Sequence, residues 1–185
     1  MNQPVHSFIV LCARVMAMAT ILLAFALAAF AQEQDITEIA PPPLRKISDM
    51  ERKSLDAEPD VKKRTKLALD LMSARLTRAE EFSSKNQYAE LYSELGAFHG
   101  LMDDILKFLE RSGSHQDKVL NNFKRLEIGL RAFGPRLEII RRDLPLRYEY
   151  YVRVLLRYVR EARTRSVEPL FDDAVVRPRK SEELQ

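Results

Sequence analysis

From residue 119 onward, apolar side chains recur at Val119, Phe123, Leu126, Leu130, Phe133, Leu137, Ile140 and Leu144, in alternating steps of four and three. An α-helix turns once every ~3.6 residues, so this spacing gathers all of them into one narrow seam. A seam sustained in this way is how helices pack lengthwise on one another. The same alternation runs through Tyr88, Leu91, Leu95, Phe98, Met102, Ile105 and Leu109, and predicts a helix over residues 88–111. Leu69, Met72, Leu76, Ala79 and Phe82 mark an earlier helix that fades in the polar run 83–87. A last stripe passes through Tyr148, Tyr151, Leu155, Tyr158 and Ala162.

Local signals punctuate these stripes. Ser48 and Glu51 have capping-box spacing, which predicts a short helix over about residues 49–57. Pro59 suits the first turn of the next helix, where its missing N–H costs nothing. Gly113 suits a helix C-terminus, and Ser114 with Asp117 opens the following helix. Inside that helix, Gly134-Pro135 removes one backbone hydrogen bond, yet the seam stays in phase beyond it. A kink is therefore expected and not a break. Asp143-Leu144-Pro145 reads as a turn, with Pro145 opening a further helix. The resulting long segments, about 22–28 residues each, reach some 35–40 Å. Similar lengths and short connections predict an all-α fold, an antiparallel four-helix bundle with long coiled-coil-like helices. The alternative is three helices, the last one long and kinked at Pro135 and Pro145. Along the chain the expected division is 1–31 export signal, 32–57 polar and Pro-rich spacer, 58–166 bundle and 167–185 tail.

Composition sharpens this picture at the N-terminus. Residues 15–31 are apolar or small apart from Thr20; Arg14 precedes them, and Ala29-Phe30-Ala31 closes the run. A positive start, an apolar stretch and small residues at −3 and −1 are what signal peptidase reads, with cleavage expected after Ala31. The rival expectation is an uncleaved membrane anchor over residues 8–31. Either way the expected location lies outside the cytoplasm, periplasmic or secreted. The one cysteine, Cys12, falls inside this segment, so a processed chain would lack thiol chemistry altogether. Pro41-Pro42-Pro43 favours extended polyproline geometry and reads as part of the spacer.

Candidate chemistry is sparse. His99, with Glu94, Asp103 and Asp104 nearby, is the best placed residue for a metal, but the paired Glu-x-x-His of bundle di-metal sites is absent. A boundary histidine is the simpler expectation, and Asp103-Asp104 reads as a solvated face or as packing against basic residues of a neighbouring helix. Met72 and Met102 fall on seams and read as core, and His115 belongs to a capping turn. No nucleophile elbow, phosphate loop or His-Glu-x-x-His occurs. No cofactor, metal ligand set or catalytic residue is assigned.

The least ordinary feature is arginine. Residues 131–165 hold ten arginines, no lysine and four acids, a local charge of +6, although the whole chain carries only +3. Arg153, Arg157 and Arg160 share one helix face, with Tyr150 among the interleaved tyrosines. Arginine forks suit carboxylate and phosphate, and they stack on aromatic rings. The competing reading is a solvated surface, because Glu149–Arg153 and Arg157–Glu161 have the spacing of ordinary helix-surface pairs. Export argues against nucleic acid and leaves an acidic envelope protein, lipid or polysaccharide. The expectation is thus a non-enzymatic interaction or scaffold protein of the cell envelope. The alternative is a small-ligand, metal or haem carrier that uses the bundle core. A seam left uncovered within one chain would instead drive a homo-oligomer. Leu130→Asp places a charge in the central seam. It is expected to cost about 4 kcal/mol or more of stability or to abolish an oligomer; an unchanged thermal midpoint would refute the seam.

Overall fold

The computed structural model describes residues 39–113 and 117–171. The segment expected to be an export signal, Ser114 and His115 of the expected cap, and the end of the tail lie outside the described residues. Contacts divide the chain into two units at residues 38 and 39, and the second unit is the one described here. Among the described residues the fold is all-helical. It comprises α1 (Asp49–Asp56), α2 (Val61–Ser84), α3 (Tyr88–Arg111), α4 (Asp117–Asp143), α5 (Leu146–Val167) and a closing 3-10 turn (Glu168–Leu170).

Each boundary has a local cause. Ser48 caps α1 in a capping box: its hydroxyl accepts from the Glu51 amide, and Glu51 accepts from the Ser48 amide at 3.0 Å. The start of α2 differs from expectation. Asp60 is the cap, accepting from the Lys63 amide at 2.9 Å, so Pro59 stands ahead of the helix and not in its first turn. An aspartate oxygen that satisfies an orphan amide is worth more at the cap than inside the helix. After α2, Asn86 takes a left-handed φ of 56° and turns the chain within three residues into α3. Gly113 has φ 88° just past α3, as its C-terminal position requires. Pro135 lies within a continuous α4, so the helix does not break there, whereas the chain breaks at Leu144-Pro145 and α5 begins afresh.

All eight seam residues of α4, from Val119 to Leu144, are buried. α2 packs along α3 and also against α4, α5 packs along α4, and α3 touches α5 and α4 more lightly. The seam of α2 supplies Met72, Leu76 and Ala79, and that of α3 supplies Leu91, Leu95, Phe98, Met102, Ile105 and Leu109. Phe98 meets Phe133 edge-on, ring centres 5.4 Å apart, joining the seams of α3 and α4.

Ion pairs lock the helices in register. Arg75 of α2 forks to Glu51 of α1 at 2.5 Å and to Glu94 of α3 at 3.1 Å. Burial alone would raise the Glu51 pKa; hydrogen bonds from Arg75 and Ser48 outweigh it and hold the carboxyl at about 2. Arg136 of α4 reaches Glu80 of α2 at 2.6 Å, and Arg163 of α5 reaches the buried Glu127 of α4 at 2.9 Å. Asp104 is taken up by Arg64 of α2 at 3.4 Å, the packing against a neighbouring helix that was one of its two readings, whereas Asp103 pairs at 3.1 Å with Arg45, which lies outside the helices.

One part of the fold has no counterpart in the stripes. α3 is buried on a second face as well, through Tyr92, Gly96, His99 and Gly100. The cover is an extended strap, residues 39–47, which together with α1 makes up the described part of the expected spacer. Ala40 and Ile47 of the strap are buried, and the Ala40 amide donates to the Arg147 carbonyl at 3.0 Å. A Cβ at Gly96 would collide with the Leu44 carbonyl oxygen, and one at Gly100 would lie 2.8 Å from the Arg45 carbonyl oxygen. The glycines form a notch that only a bare backbone can offer. Gly→Ala within a helix ordinarily gains up to about 1 kcal/mol. Gly96→Ala is expected to do the reverse, lowering stability by about 1–3 kcal/mol through the strap's displacement. Denaturant unfolding with hydrogen exchange at residues 40–47 checks it; a more stable protein with a protected strap would overturn the notch.

Candidate functional site

The arginine face and a cleft beside it make up the site, both built on residues 150–160 of α5. Helical spacing turns Tyr151, Val152, Leu155, Leu156 and Val159 inward. The same turn leaves Arg153, Arg157 and Arg160 outward, with side chains of Arg153 and Arg157 62% and 65% exposed. Arg153 pairs with Glu149 at 2.9 Å, and Arg157 lies 3.9 Å from Glu161, both one helical turn away on α5 itself. Arg160 has no ion pair among the described residues. Contrast Arg75, Arg136 and Arg163, whose forks are committed to carboxylates on other helices.

Where the strap passes α5, a cleft of about 480 Å³ opens. One wall is Ile39 with Pro41, Pro42 and Pro43; the other is Tyr150, Tyr151, Val154 and Tyr158. Arg45 and Arg157 complete it. Of the candidate residues read from the sequence, Tyr150 and Arg157 therefore line the cleft, while Arg153 and Arg160 lie on the outer face beyond it. Tyr150 is 49% exposed, an aromatic edge available to solvent.

Beneath the cleft lies His99, which is not the boundary residue its sequence position suggested. It is fully buried, because it sits on the strap face of α3 and not at the rim of the seam. Its Nδ1 is 3.2 Å from the Tyr151 hydroxyl, and its ring centre is 4.6 Å from that of Tyr158. Arg45 stacks over the same Tyr158 ring at 4.9 Å. Nε2 has no hydrogen-bond partner and faces Asp103 Oδ1 at 3.9 Å. A proton on Nε2 suits that carboxylate, so the Tyr151 hydroxyl donates to Nδ1. Burial, with the nearby Arg45 charge, pushes the His99 pKa down to about 4 against the opposing pull of Asp103. Burial likewise drives the Tyr151 phenol well above its ordinary value. Tyr92, whose hydroxyl donates to the Tyr148 carbonyl at 2.8 Å, is pushed by burial up to about 12.

This arrangement holds a neutral imidazole in a tyrosine-walled pocket under a cationic cleft. Among the described residues no three His, Cys, Asp or Glu side chains are grouped to hold a metal ion. None of the described helices is long and apolar enough to cross a membrane. No protein-family model, curated protein or solved structure matches the chain.

Sequence reasoning singled out His99 but missed its burial against Tyr151 and Tyr158, and it missed Arg45 and the cleft. A signal was present in Gly96 and Gly100, one turn apart and flanking His99, since paired glycines in a helix mark close approach of another backbone. The histidine gives a pH prediction. Its folded pKa lies below its unfolded value of 6.5, so the unfolded chain binds the extra proton between the two. The stability contributed is complete above pH 6.5 and is lost as pH falls towards 4. The loss is expected to reach about 3 kcal/mol. His99→Gln should flatten the stability profile across this window relative to the parent; an equally steep profile in the variant would remove His99 as its source.

Proposed function

We propose that this chain is an exported, non-enzymatic interaction or scaffold protein of the cell envelope, which recognises an acidic partner through the outer face of α5. The observation that carries this reading is the division of the arginines. Arg75, Arg136 and Arg163 hold helices together, whereas Arg153, Arg157 and Arg160 project from α5 and among the described residues have at most same-helix partners. Exposed pairs of that kind contribute little to stability and exchange readily for a carboxylate or phosphate. The export half of the reading rests on the sequence of residues 1–31 alone.

The frame offered for this face is an antiparallel four-helix bundle of α2 to α5, with α1 and the strap applied to it. Connections of two to five residues between successive helices support it, since such short links return the chain beside itself. Recognition on this frame would be by a rigid helix face, apolar seams supplying stiffness and guanidinium forks supplying contacts. Neutral His99, enclosed by Tyr151 and Tyr158, is what the metal or haem carrier reading has to build on, and it lacks further ligands among the described residues.

The test compares the parent with the triple variant Arg153→Gln, Arg157→Gln, Arg160→Gln. Tagged protein is used to capture partners from solubilised envelope at low and high salt, with intact mass and metal content taken on the same sample. The variant should keep the parent's thermal midpoint to within about 0.5 kcal/mol of stability. It should lose most of a salt-sensitive partner that the parent captures. Equal capture by the variant would eliminate the arginine face, and a bound metal or cofactor would move attention to His99.

A further inference from the structure

The geometry points to the cleft between the strap and α5 as a binding site for a small amphipathic monoanion, an aromatic or branched apolar body carrying one carboxylate. It is distinct from the outer arginine face, although Arg157 and Tyr150 border both.

Size, walls and charge argue together. At about 480 Å³ the cleft falls within the range of small-molecule sites. Its strap wall is Ile39 and a run of prolines, which present carbon and have no backbone N–H to hydrate a polar ligand. Opposite stand Val154 and the tyrosine rings, flat surfaces on which an aromatic or branched body can lie. Among the described residues the charged side chains lining the cleft are Arg45 and Arg157, and no carboxylate lines it. Arg45 is already oriented, held at Asp103 and stacked on Tyr158. Arg157 is not, since Glu161 stands 3.9 Å away on an exposed helix turn, so its fork can swing to an incoming carboxylate. Apolar walls exclude a second charge on the ligand, which would have to be desolvated against proline and valine. The charge complement therefore selects one anionic head on an apolar body over inorganic anions and over polyanions.

The probe is 2-naphthoate, titrated into the full chain by calorimetry, with the neutral 2-naphthamide and inorganic phosphate as comparisons. Naphthoate should bind at one saturable site, naphthamide at least tenfold more weakly, and phosphate without saturation. Arg157→Gln should weaken naphthoate at least tenfold. Val154→Trp, which fills the cleft, should abolish binding. Ile39→Glu, at a wall residue that is 53% exposed, should do the same by repulsion. Arg160→Gln should leave naphthoate binding unchanged while still weakening partner capture, so failure of this site and failure of the outer face read out separately. Equal affinity for naphthoate and naphthamide would overturn the proposal. So would undiminished binding by Ile39→Glu. If a second copy of the chain fills the cleft instead, naphthoate will not bind and the protein will sediment as a dimer, which also overturns it.

Discussion

The carbonyl oxygens of Leu44 and Arg45 rest against the bare backbone of α3 at Gly96 and Gly100, and much of the local structure follows from that approach. Side chains at either position would hold the strap away from the helix. With the strap seated, His99 between the glycines loses all contact with water, and Tyr92 and Tyr151 are enclosed beside it. Arg45 is brought over Tyr158 and within reach of Asp103. The cleft exists because the same strap then runs past α5. Packing, protonation state and cavity therefore share one origin, the absence of two β-carbons.

Charge serves two purposes in this chain. Some arginines are structural: Arg75 is shared between carboxylates of α1 and α3, and Arg64 lies over the Phe108 ring at 4.3 Å while contacting Asp56 and Asp104. Removing one partner from such a half-buried set leaves the other charge without solvation, so these contacts specify register more than they add net stability. Among the described residues the arginines on the outside of α5 carry no such duty. A surplus of positive charge at residues 131–165 thus resolves into helix clamps and an exposed row.

The helices and their seams were legible because they depend on period and local chemistry. The seams of α3 and α4 are buried apart from partial burial at Tyr88, and the capping box of α1 is present as its spacing requires. The start of α2 was displaced because proline and aspartate compete for the same boundary, and a satisfied amide decides it at Asp60. The second buried face of α3 was not legible from period, since the glycines there contribute no hydrophobic signal. Cross-helix clamps such as Arg163–Glu127 were also hidden. Spacing reveals partners one turn away on the same helix, and nothing in the linear order reports which distant carboxylate a long side chain will meet.

The outer row of α5 also fixes a distance scale. Successive steps of four and three residues set Arg153, Arg157 and Arg160 about 6 and 4.5 Å apart along the helix axis. Because the buried side of α5 is packed into the core, the spacing of the Cα atoms is rigid, while the exposed guanidiniums move about it on their side-chain stems. A partner whose negative charges repeat at a similar interval meets the whole row at once, whereas one with sparser charge engages a single guanidinium. If the proposed acidic partner binds here, the fixed Cα spacing would favour one whose charges recur within reach of successive arginines.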